Sequence, residues 1–585
     1  MVRAHDGFWD NMGGLHNATP ACDGKRRRDW AGRLGPGKEK NLLMLFSIRR
    51  CLCWPLAVVL LAIVAPVRVT PLLRAQASPI QTEASVSGSP ARASSLSVNA
   101  RLVVLDVVVT DNSGRPVDGL TVKDFQVFED DRQQRIRSLE PPSAHALPPS
   151  SNAEGASAVF DPAQPASFGR SPVNILVLDQ LNTHFADSSF ARRCLHDYLA
   201  AQPALLPQPA TLLSVYDNHF KLQQAFTRDR DALLRALTAA PAEYAWKLEI
   251  NGKTEYGPVE RLDQSLRALE EMAQSYARIP GRKNLIWVGG GFPTIDPATI
   301  DRDDAQEVKD TLQHVTDVLL DTHITLYAID PSSSAAGVTE ITGSTQLQFA
   351  EAAGDALFGN FDPFNASDDF DRLGPMTGGR VIRGRNDIAQ QIAASVDLGA
   401  NFYTLSYTPS SASQAAAQYR KVRVVCLRPG LTAATRSGYY PGQTQQQKSA
   451  ATAAYDLTTA AQSAVPLNGL HVAVEPNVSA GASANDYHVR VAVDVLTWRP
   501  LDDGGATASV YIMAVSLNAR NKMLGHTLHG MKANAKPGVD LHDPARMADF
   551  AFTAVPSRGS ARLRFIVRDS ASGRMGSVDL PLPRR

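Results

Sequence analysis

The sequence predicts an α/β protein with a doubly wound, mostly parallel sheet, flanked by an N-terminal and a C-terminal β-sandwich module. Two observations in the 585-residue chain carry the α/β prediction. Apolar runs such as VNILVLD, TLLSVYD, KNLIWVGG and ITLYAID are typical of central parallel strands covered on both faces. Amphipathic helical segments alternate with these runs, which is the order expected when helices cover both faces of a parallel sheet.

Alternation of apolar and polar residues predicts β-structure before and after the α/β part of the chain. The stretch VVLDVVVTDNSGRPVDGLTVKDFQVFEDD reads as short strands with a turn at DNSGRP. Residues 466–585 alternate again, with Gly and Asp turns between the runs. We assign FYTLSYTPS, residues 402–410, to a strand of the α/β sheet, and YRKVRVVCL, residues 419–427, to a strand that closes this sheet at an edge.

Stretches rich in Pro, Ser, Ala or Gln separate these parts and predict linkers. The resulting segments are 1–43 as a mis-assigned upstream extension, 44–77 as a signal peptide, 78–97 as a linker, 98–140 as a small β module, 141–170 as a linker, 171–440 as the α/β domain, 441–465 as a linker and 466–585 as a β-sandwich.

The N-terminal region has the three parts of a secretory signal. Arg49 and Arg50 precede a long apolar run, and Ala75 and Ala77 then form an A-x-A cleavage pattern. We therefore expect translation to start at Met44 and the mature chain to reach the periplasm or the cell exterior. If the signal stays uncleaved, the alternative is an N-terminal membrane anchor, for which the proline-containing run is short.

Charge and cysteine content narrow the class of partner and the redox chemistry. With 59 basic against 58 acidic residues, no net field selects nucleic acid or an anionic membrane. Cys22, Cys51 and Cys53 would be lost with the signal, so that Cys194 and Cys426 stay in the mature chain. We expect two free thiols, with one disulfide as the alternative for an exported protein.

Five ordered blocks give the chain a family resemblance. They are VVLDVVVTDNSGRPVDGLTVKDFQVFEDD, ILVLDQLNT, IPGRKNLIWVGGGFP, MTGGRVIRGRND and FYTLSYTP. Together they resemble the von Willebrand factor type A-related family of exported, acidobacterial-type proteins over about residues 98–440. The resemblance implies a von Willebrand factor A-like (VWA-like), Rossmann-type domain. It also implies a metal-ion-dependent adhesion site, in which Mg²⁺ at the carboxyl ends of the strands accepts a partner's carboxylate.

Carried over residue by residue, this ion site is degenerate. Asp179 fits the first carboxylate of the family's D-x-S-x-S loop, Leu181 replaces the first hydroxyl, and Thr183 fits the second. Ser265 is the candidate for the second-loop hydroxyl, and Gly290 stands where the family pattern has an aspartate. Since one hydroxyl and one anion are missing, Mg²⁺ affinity should be poor. We therefore expect no cofactor, with Mg²⁺ bound by Asp179, Thr183 and Ser265 as the alternative.

Other polar residues near the predicted strand ends leave further interpretations open. Thr254 is a rival to Ser265 for the second-loop hydroxyl. Asp217 and Asp330 end strands on the same predicted face and could in principle replace the missing ligands. The interpretation we favour is that Asp217 belongs to a hairpin turn and that Asp330, before Pro331, ends its strand. Without an ion, Asp179 and Thr183 would form an Asx-type turn. Thr183 would then start or cap the helix that follows.

The sequence carries no motif of a common enzyme class. The motifs G-x-S-x-G, H-E-x-x-H and C-x-x-C and the phosphate-binding P-loop are all missing from it. We therefore predict a non-enzymatic adhesion or scaffolding protein that binds an unidentified protein partner, and neither nucleic acid nor, once the signal is cleaved, a membrane. The alternatives are a purely structural envelope protein without metal and a hydrolase that uses Asp179 and Asp330.

Overall fold

The computed structural model describes residues 83–86, 102–147, 160–162, 164–216, 220–243, 258–292, 302–332, 339–342, 373–409, 419–439, 450–463, 465–479 and 483–583. The predicted upstream extension and signal peptide lie outside these residues, and so do Thr254 and Asp217. All described residues belong to one unit, Ala77–Arg585.

Strands and helices alternate in the middle of the chain, and strands dominate on either side. The strands are β1 Glu83–Val86, β2 Val103–Asp111, β3 Phe125–Glu129, β4 Arg132–Gln134, β5 Ile136–Glu140, β6 Val173–Asp179, β7 Leu205–Val215, β8 Phe220–Asp229, β9 Lys283–Val288, β10 Ile324–Ile329, β11 Thr339–Thr342, β12 Arg380–Arg383, β13 Tyr403–Tyr407, β14 Arg420–Cys426, β15 Leu431–Ala434, β16 Gly438–Tyr439, β17 Val472–Pro476, β18 Asp486–Ala492, β19 Arg499–Pro500, β20 Ala506–Leu517, β21 Met523–Ala535, β22 Met547–Thr553, β23 Arg562–Asp569 and β24 Met575–Pro581. The helices are α1 Phe185–Ala200, α2 Arg230–Ala239, α3 Pro258–Tyr276, α4 Arg302–Asp321, α5 Leu373–Met376, α6 Ile388–Ala400 and α7 Ala450–Gln462.

A seven-stranded sheet in the order β11-β12-β10-β9-β6-β7-β8 forms the α/β part. Strands β7, β6, β9, β10 and β12 run parallel to their neighbours in this row, and β8 and β11 are antiparallel edge strands. Every residue of β6, β9 and β10 is buried. The prediction of an α/β protein with a mostly parallel sheet is therefore confirmed.

Two buried clusters explain why these strands read as continuous apolar runs. On one face, Val177 and Trp287 pack with residues of α3 and α4. On the other face, Leu176 and Ile286 pack with residues of α1, α2 and α6. Because successive side chains of a strand point to opposite faces, a strand covered on both faces needs apolar residues at consecutive positions.

A small β module is built from two distant segments of the chain. One of its sheets has the order β15-β2-β13-β5 and the other has the order β16-β14-β3-β4. Both sheets contribute to one buried cluster that includes Leu105, Val127, Leu405 and Val424. The prediction that residues 402–410 and 419–427 belong to the α/β sheet is therefore wrong. Their alternating pattern indicates a half-buried strand, and it does not specify the partner strand.

A buried carboxylate ties the two segments together. Glu129 of β3 is 3% exposed. It accepts hydrogen bonds from the hydroxyl of Tyr407 at 2.7 Å and the hydroxyl of Tyr439 at 3.0 Å. The guanidinium of Arg420 donates to the other carboxylate oxygen at 3.4 Å. All three donors come from the second segment, so this network holds the returning chain on the first segment.

Residues 466–583 add two further sheets. One has the order β1-β21-β20-β23-β24, with β19 on β20, and the other has the order β17-β18-β22. Both contribute to one buried cluster that includes Val489, Phe550 and Phe565. Strand β1 pairs in parallel with the end of β21, although the sequence places residues 83–86 in a linker. Edge pairing uses main-chain groups, so a Ser- and Ala-rich composition does not reveal it.

Helix α7 occupies about half of the predicted linker 441–465. Its 13 residues include Leu457, Ala460 and Ala461, whose spacing places them on one helical face. These side chains pack on Val515 and Ile566 of the C-terminal sheet. Alanine is the best helix former, and an Ala-rich stretch with one apolar face is therefore a docked helix here.

Two further expectations concern the cysteines and the membrane. Cys194 in α1 and Cys426 in β14 are both free thiols, as expected. Within the described residues, no helix combines the length and apolarity needed to cross a membrane.

Substitution of Tyr407 tests the two-segment module. Tyr407→Phe removes a donor from the buried carboxylate of Glu129 and should lower the free energy of unfolding by about 1 to 3 kcal/mol. The loss is measured by chemical denaturation. Tyr198→Phe is the control, because no carboxylate accepts from the Tyr198 hydroxyl among the described contacts. Equal stability of the Tyr407→Phe variant and the wild type would contradict the assigned role of this network.

Candidate functional site

The carboxyl end of β6 carries the first predicted ligand, Asp179. This side chain is fully buried. Its Oδ1 accepts hydrogen bonds from the backbone N–H groups of Leu181 at 2.9 Å and Asn182 at 3.0 Å, and thus forms the expected Asx-type turn. Its Oδ2 accepts from the indole Nε1–H of Trp287 at 3.0 Å. Three N–H donors therefore surround the carboxylate.

Close approach of two loops determines what can stand beside Asp179. The backbone N–H of Gly290 donates to Thr183 Oγ1 at 2.8 Å, so Thr183 binds the neighbouring loop and does not cap α1. A Cβ atom at Gly289 would lie 2.3 Å from Asp179 Cβ. A Cβ atom at Gly290 would lie 2.2 Å from the carbonyl oxygen of Asn182. No L-side chain fits at either glycine unless the loops move apart.

The third candidate, Ser265, reaches the same region through Asn182. Its Oγ accepts a hydrogen bond from Asn182 Nδ2 at 2.8 Å and donates to the carbonyl oxygen of Arg261 in the preceding turn of α3 at 2.9 Å. The structure therefore brings all three predicted residues to one end of the sheet. The connections run through Asn182 and Trp287, which the sequence did not single out. Trp287 lies within an apolar run, and its N–H donor gives no signal in such a pattern.

The geometry does not fit Mg²⁺. Magnesium requires free oxygen lone pairs in an octahedral arrangement and usually keeps several waters. Asp179, Thr183 and Ser265 are 0, 2 and 0% exposed, and each of them accepts a hydrogen bond from an N–H group. An ion placed here would face the positive ends of these donors. The oxygens of Asp179, Thr183 and Ser265 therefore have their hydrogen-bond partners within the protein.

Asp330 lies at the end of β10 and has partners of its own. Its Oδ1 accepts from the backbone N–H of Ser332 at 2.9 Å and from the Ser332 hydroxyl at 2.7 Å, and its Oδ2 lies 3.8 Å from Arg383 Nε. The adjoining cavity has a volume of about 10 Å³, which is room for about one water. Asp179 does not line this cavity. The two carboxylates therefore do not share a cleft in the described structure.

Restoring the aspartate of the family pattern tests the steric argument. Gly290→Asp should lower the free energy of unfolding by at least about 2 kcal/mol, because the new Cβ forces the two loops apart. The variant should gain no stability from MgCl₂ in thermal or chemical denaturation. Gly530→Asp is the matched control, since its Cβ meets nothing closer than 3.6 Å. A stable Gly290→Asp variant that Mg²⁺ stabilises further would show that the loops can open into an ion site.

The acidity of Asp179 gives a pH-dependent prediction. Burial raises the pKa of Asp179 from 3.8 to about 6. The folded state therefore holds this proton more tightly than the unfolded state, and the stabilisation by protonated Asp179 is lost as the pH rises from about 4 through 6. Relative to Asp179→Asn, the wild type should lose about 2 kcal/mol between pH 4 and pH 7. Denaturation at both pH values measures this difference.

The exposed Asp540→Asn variant is the control for the pH experiment. A stability difference between Asp179→Asn and the wild type that is equal at both pH values would contradict the raised pKa. The constant part of that difference reports the hydrogen bond from Trp287, which an amide nitrogen cannot accept.

Comparisons with known proteins give similarities at low levels. No family model and no curated protein sequence matches the chain. The VWA domain of SpRpn10 is 15% identical, with 28% of this chain and 89% of that chain covered and a TM-score of 0.15. The pilus adhesin SpaC from Lactobacillus rhamnosus GG is 9% identical over 68% of this chain and 53% of that one, with a TM-score of 0.22. An endonuclease/exonuclease/phosphatase from Beutenbergia cavernae is 10% identical over 32% and 38% of the two chains, with a TM-score of 0.08.

Proposed function

We propose that the chain is an exported adhesion or scaffolding protein that binds a protein partner through a mechanism independent of metal at the VWA-like site. The observation that carries this proposal is the hydrogen-bonded carboxylate at the end of β6. Asp179 accepts from Trp287 Nε1 and from two turn N–H groups at the place where the family resemblance implies Mg²⁺. Partner binding through a shared ion is therefore disfavoured there.

The strand order supports the VWA-like part of the proposal. The six strands β12, β10, β9, β6, β7 and β8 follow one another in the sheet, and β8 is antiparallel at its edge. Along the chain β6 comes first, β7 and β8 extend the sheet on one side of it, and β9 and β10 extend it on the other. Asp179 is the last residue of β6 and lies at the carboxyl edge, where open α/β sheets carry their sites.

The flanking β-sandwich modules are the second part of the proposal. In each flanking region two sheets share one buried cluster, which supports a sandwich architecture. We place the mature protein in the periplasm or outside the cell on the basis of the signal pattern in residues 44–77.

The non-enzymatic part rests on the two carboxylates of the hydrolase alternative. A pair of catalytic carboxylates must face a substrate in one cleft. Asp179 is fully buried among N–H donors, and the cavity beside Asp330 holds about one water. Neither feature favours hydrolysis.

Partner capture in the presence and absence of metal tests the proposal. The full-length mature protein is used to capture partners from an envelope extract in MgCl₂ and in EDTA, and the captured protein is then purified and titrated. We expect saturable binding whose Kd changes by less than about twofold between the two conditions. Asp179→Asn should bind with the same Kd, because the carboxylate does not contact the partner.

Each competing function has its own outcome in these experiments. Loss of binding in EDTA together with loss in Asp179→Asn would restore a metal-dependent adhesion site. Failure to capture any saturable partner would favour a purely structural envelope protein. Turnover of ester, peptide or glycoside substrates that Asp330→Asn abolishes would make the chain a hydrolase.

A further inference from the structure

A second group of polar side chains lies where α3 and α4 of the α/β part meet α7 and β23. Glu270, His314 and Asp456 each offer one ligand atom, and these atoms all lie within 4.8 Å of one another. The three side chains come from α3, α4 and α7 and are buried. Three helices thus bring two carboxylates and one imidazole together in the interior.

The contacts within this cluster are unequal. His314 Nε2 lies 2.7 Å from Asp456 Oδ1 and 3.7 Å from Glu270 Oε1. The guanidinium of Arg568, in β23, donates from Nε to Asp456 Oδ2 at 2.6 Å. Asp456 is therefore held from two sides, and one of its oxygens faces His314 and Glu270.

Glu270 is the anomaly of the cluster. Its side chain is 0% exposed, and among the described residues neither carboxylate oxygen has a hydrogen-bond partner, since His314 Nε2 lies 3.7 Å from Oε1. Leaving a buried carboxylate without a partner costs several kcal/mol. Burial and the charge of Asp456 raise the pKa of Glu270, because both make the ionised form of this carboxyl unfavourable. A bound cation would compensate this group, as would a proton on Glu270 or on the neighbouring His314.

We propose that Glu270, His314 and Asp456 form a binding site for a divalent transition-metal ion, with Zn²⁺ as the ion that the ligands suit best. Imidazole nitrogen with carboxylate oxygen is a common Zn²⁺ ligand set, and it is a poor one for Mg²⁺ or Ca²⁺, which take oxygen ligands. His314 binds through the Nε2 lone pair, so its proton lies on Nδ1. Arg568 is the outer partner that orients Asp456, as partners of metal-bound carboxylates usually do.

The distances require only a small adjustment. Ligand atoms around a tetrahedral Zn²⁺ lie about 3.3 Å apart when each bond is about 2.0 to 2.1 Å long. The separation between His314 Nε2 and Glu270 Oε1 is 3.7 Å. The hydrogen-bonded separation between His314 and Asp456 is 2.7 Å and must open by roughly half an ångström. Glu270, which has both oxygens free of hydrogen bonds, can supply one ligand atom or two.

The ion would join parts of the chain that are distant in sequence. Glu270 and His314 belong to the helices of the α/β part, whereas Asp456 precedes the C-terminal sheets. Gln274, one turn after Glu270, accepts from the backbone N–H of Met575 at 3.0 Å, so the same face of α3 already contacts the C-terminal strands. The site would therefore stabilise the packing of α7 and the C-terminal sheet on α3 and α4. This inference is independent of the proposed partner binding.

The test measures metal content and its effect on stability in the untagged mature protein. After loading with ZnCl₂ and removal of excess ion, elemental analysis should find one Zn²⁺ per chain. Dialysis against a chelator should lower the melting temperature, and Zn²⁺ but not Mg²⁺ should restore it. Co²⁺ loading should give visible absorption bands. Glu270→Gln, which keeps the side-chain volume, should weaken Zn²⁺ binding by at least about tenfold, and His314→Ala should weaken it further.

His488→Ala is the matched control. His488 also lies next to an aspartate, with Nδ1 3.0 Å from Asp549 Oδ1, but on the surface of the C-terminal part. This variant should keep the ion and its effect on the melting temperature. The proposal is overturned if the wild type retains no stoichiometric Zn²⁺ and Glu270→Gln is as stable as the wild type or more so. That result would show that Glu270 carries a proton.

Discussion

The hydrogen bond from the indole of Trp287 to the buried carboxylate of Asp179 links the carboxyl ends of β6 and β9 in the α/β sheet. It joins these two adjacent parallel strands where each of them ends. Once this bond and the Asx-type turn have formed, the two loops approach so closely that only glycine fits at residues 289 and 290. Partial charges on fixed N–H groups thus take the place that a positive ion has in the family pattern. The buried carboxylate of Asp179 is therefore compensated by three N–H donors without an ion.

How much of this the sequence can predict depends on how local the cause is. The strands β6, β9 and β10 are predictable, because burial on both faces demands consecutive apolar residues at those positions. Strands β13 and β14 are assigned to the wrong sheet, since Tyr403, Leu405 and Tyr407 alternate in the same way against any partner. Asp179 and Thr183 can be located from the loop pattern. The donors that satisfy them cannot, because Gly290 contributes only a backbone N–H and Trp287 looks like a core residue.

Buried carboxylates connect the separate parts of this chain, and they do so in two ways. Glu129 has donors from two tyrosines and an arginine, so its burial costs little and the two segments of the small β module are held firmly. Glu270 lies at the junction of the α/β part with the C-terminal sheets and has no such donors. The first junction is complete in itself. In the proposed metal site an ion would complete the second, and its strength would then depend on the metal content of the solution.

The two-segment β module has a mechanical consequence. The chain leaves this module after β5 and returns at β13, and Glu140 is paired directly with Thr404, so both connections to the α/β part lie side by side. Strand β2, which opens the module, is paired with β15 near its end. Tension between residues 102 and 439 is therefore borne by strand pairs inside the β module, β2 with β15 and β14 with β16, and the α/β part carries no load until the pairing of β5 with β13 breaks. The β module would thus act as a mechanical shield for the α/β sheet.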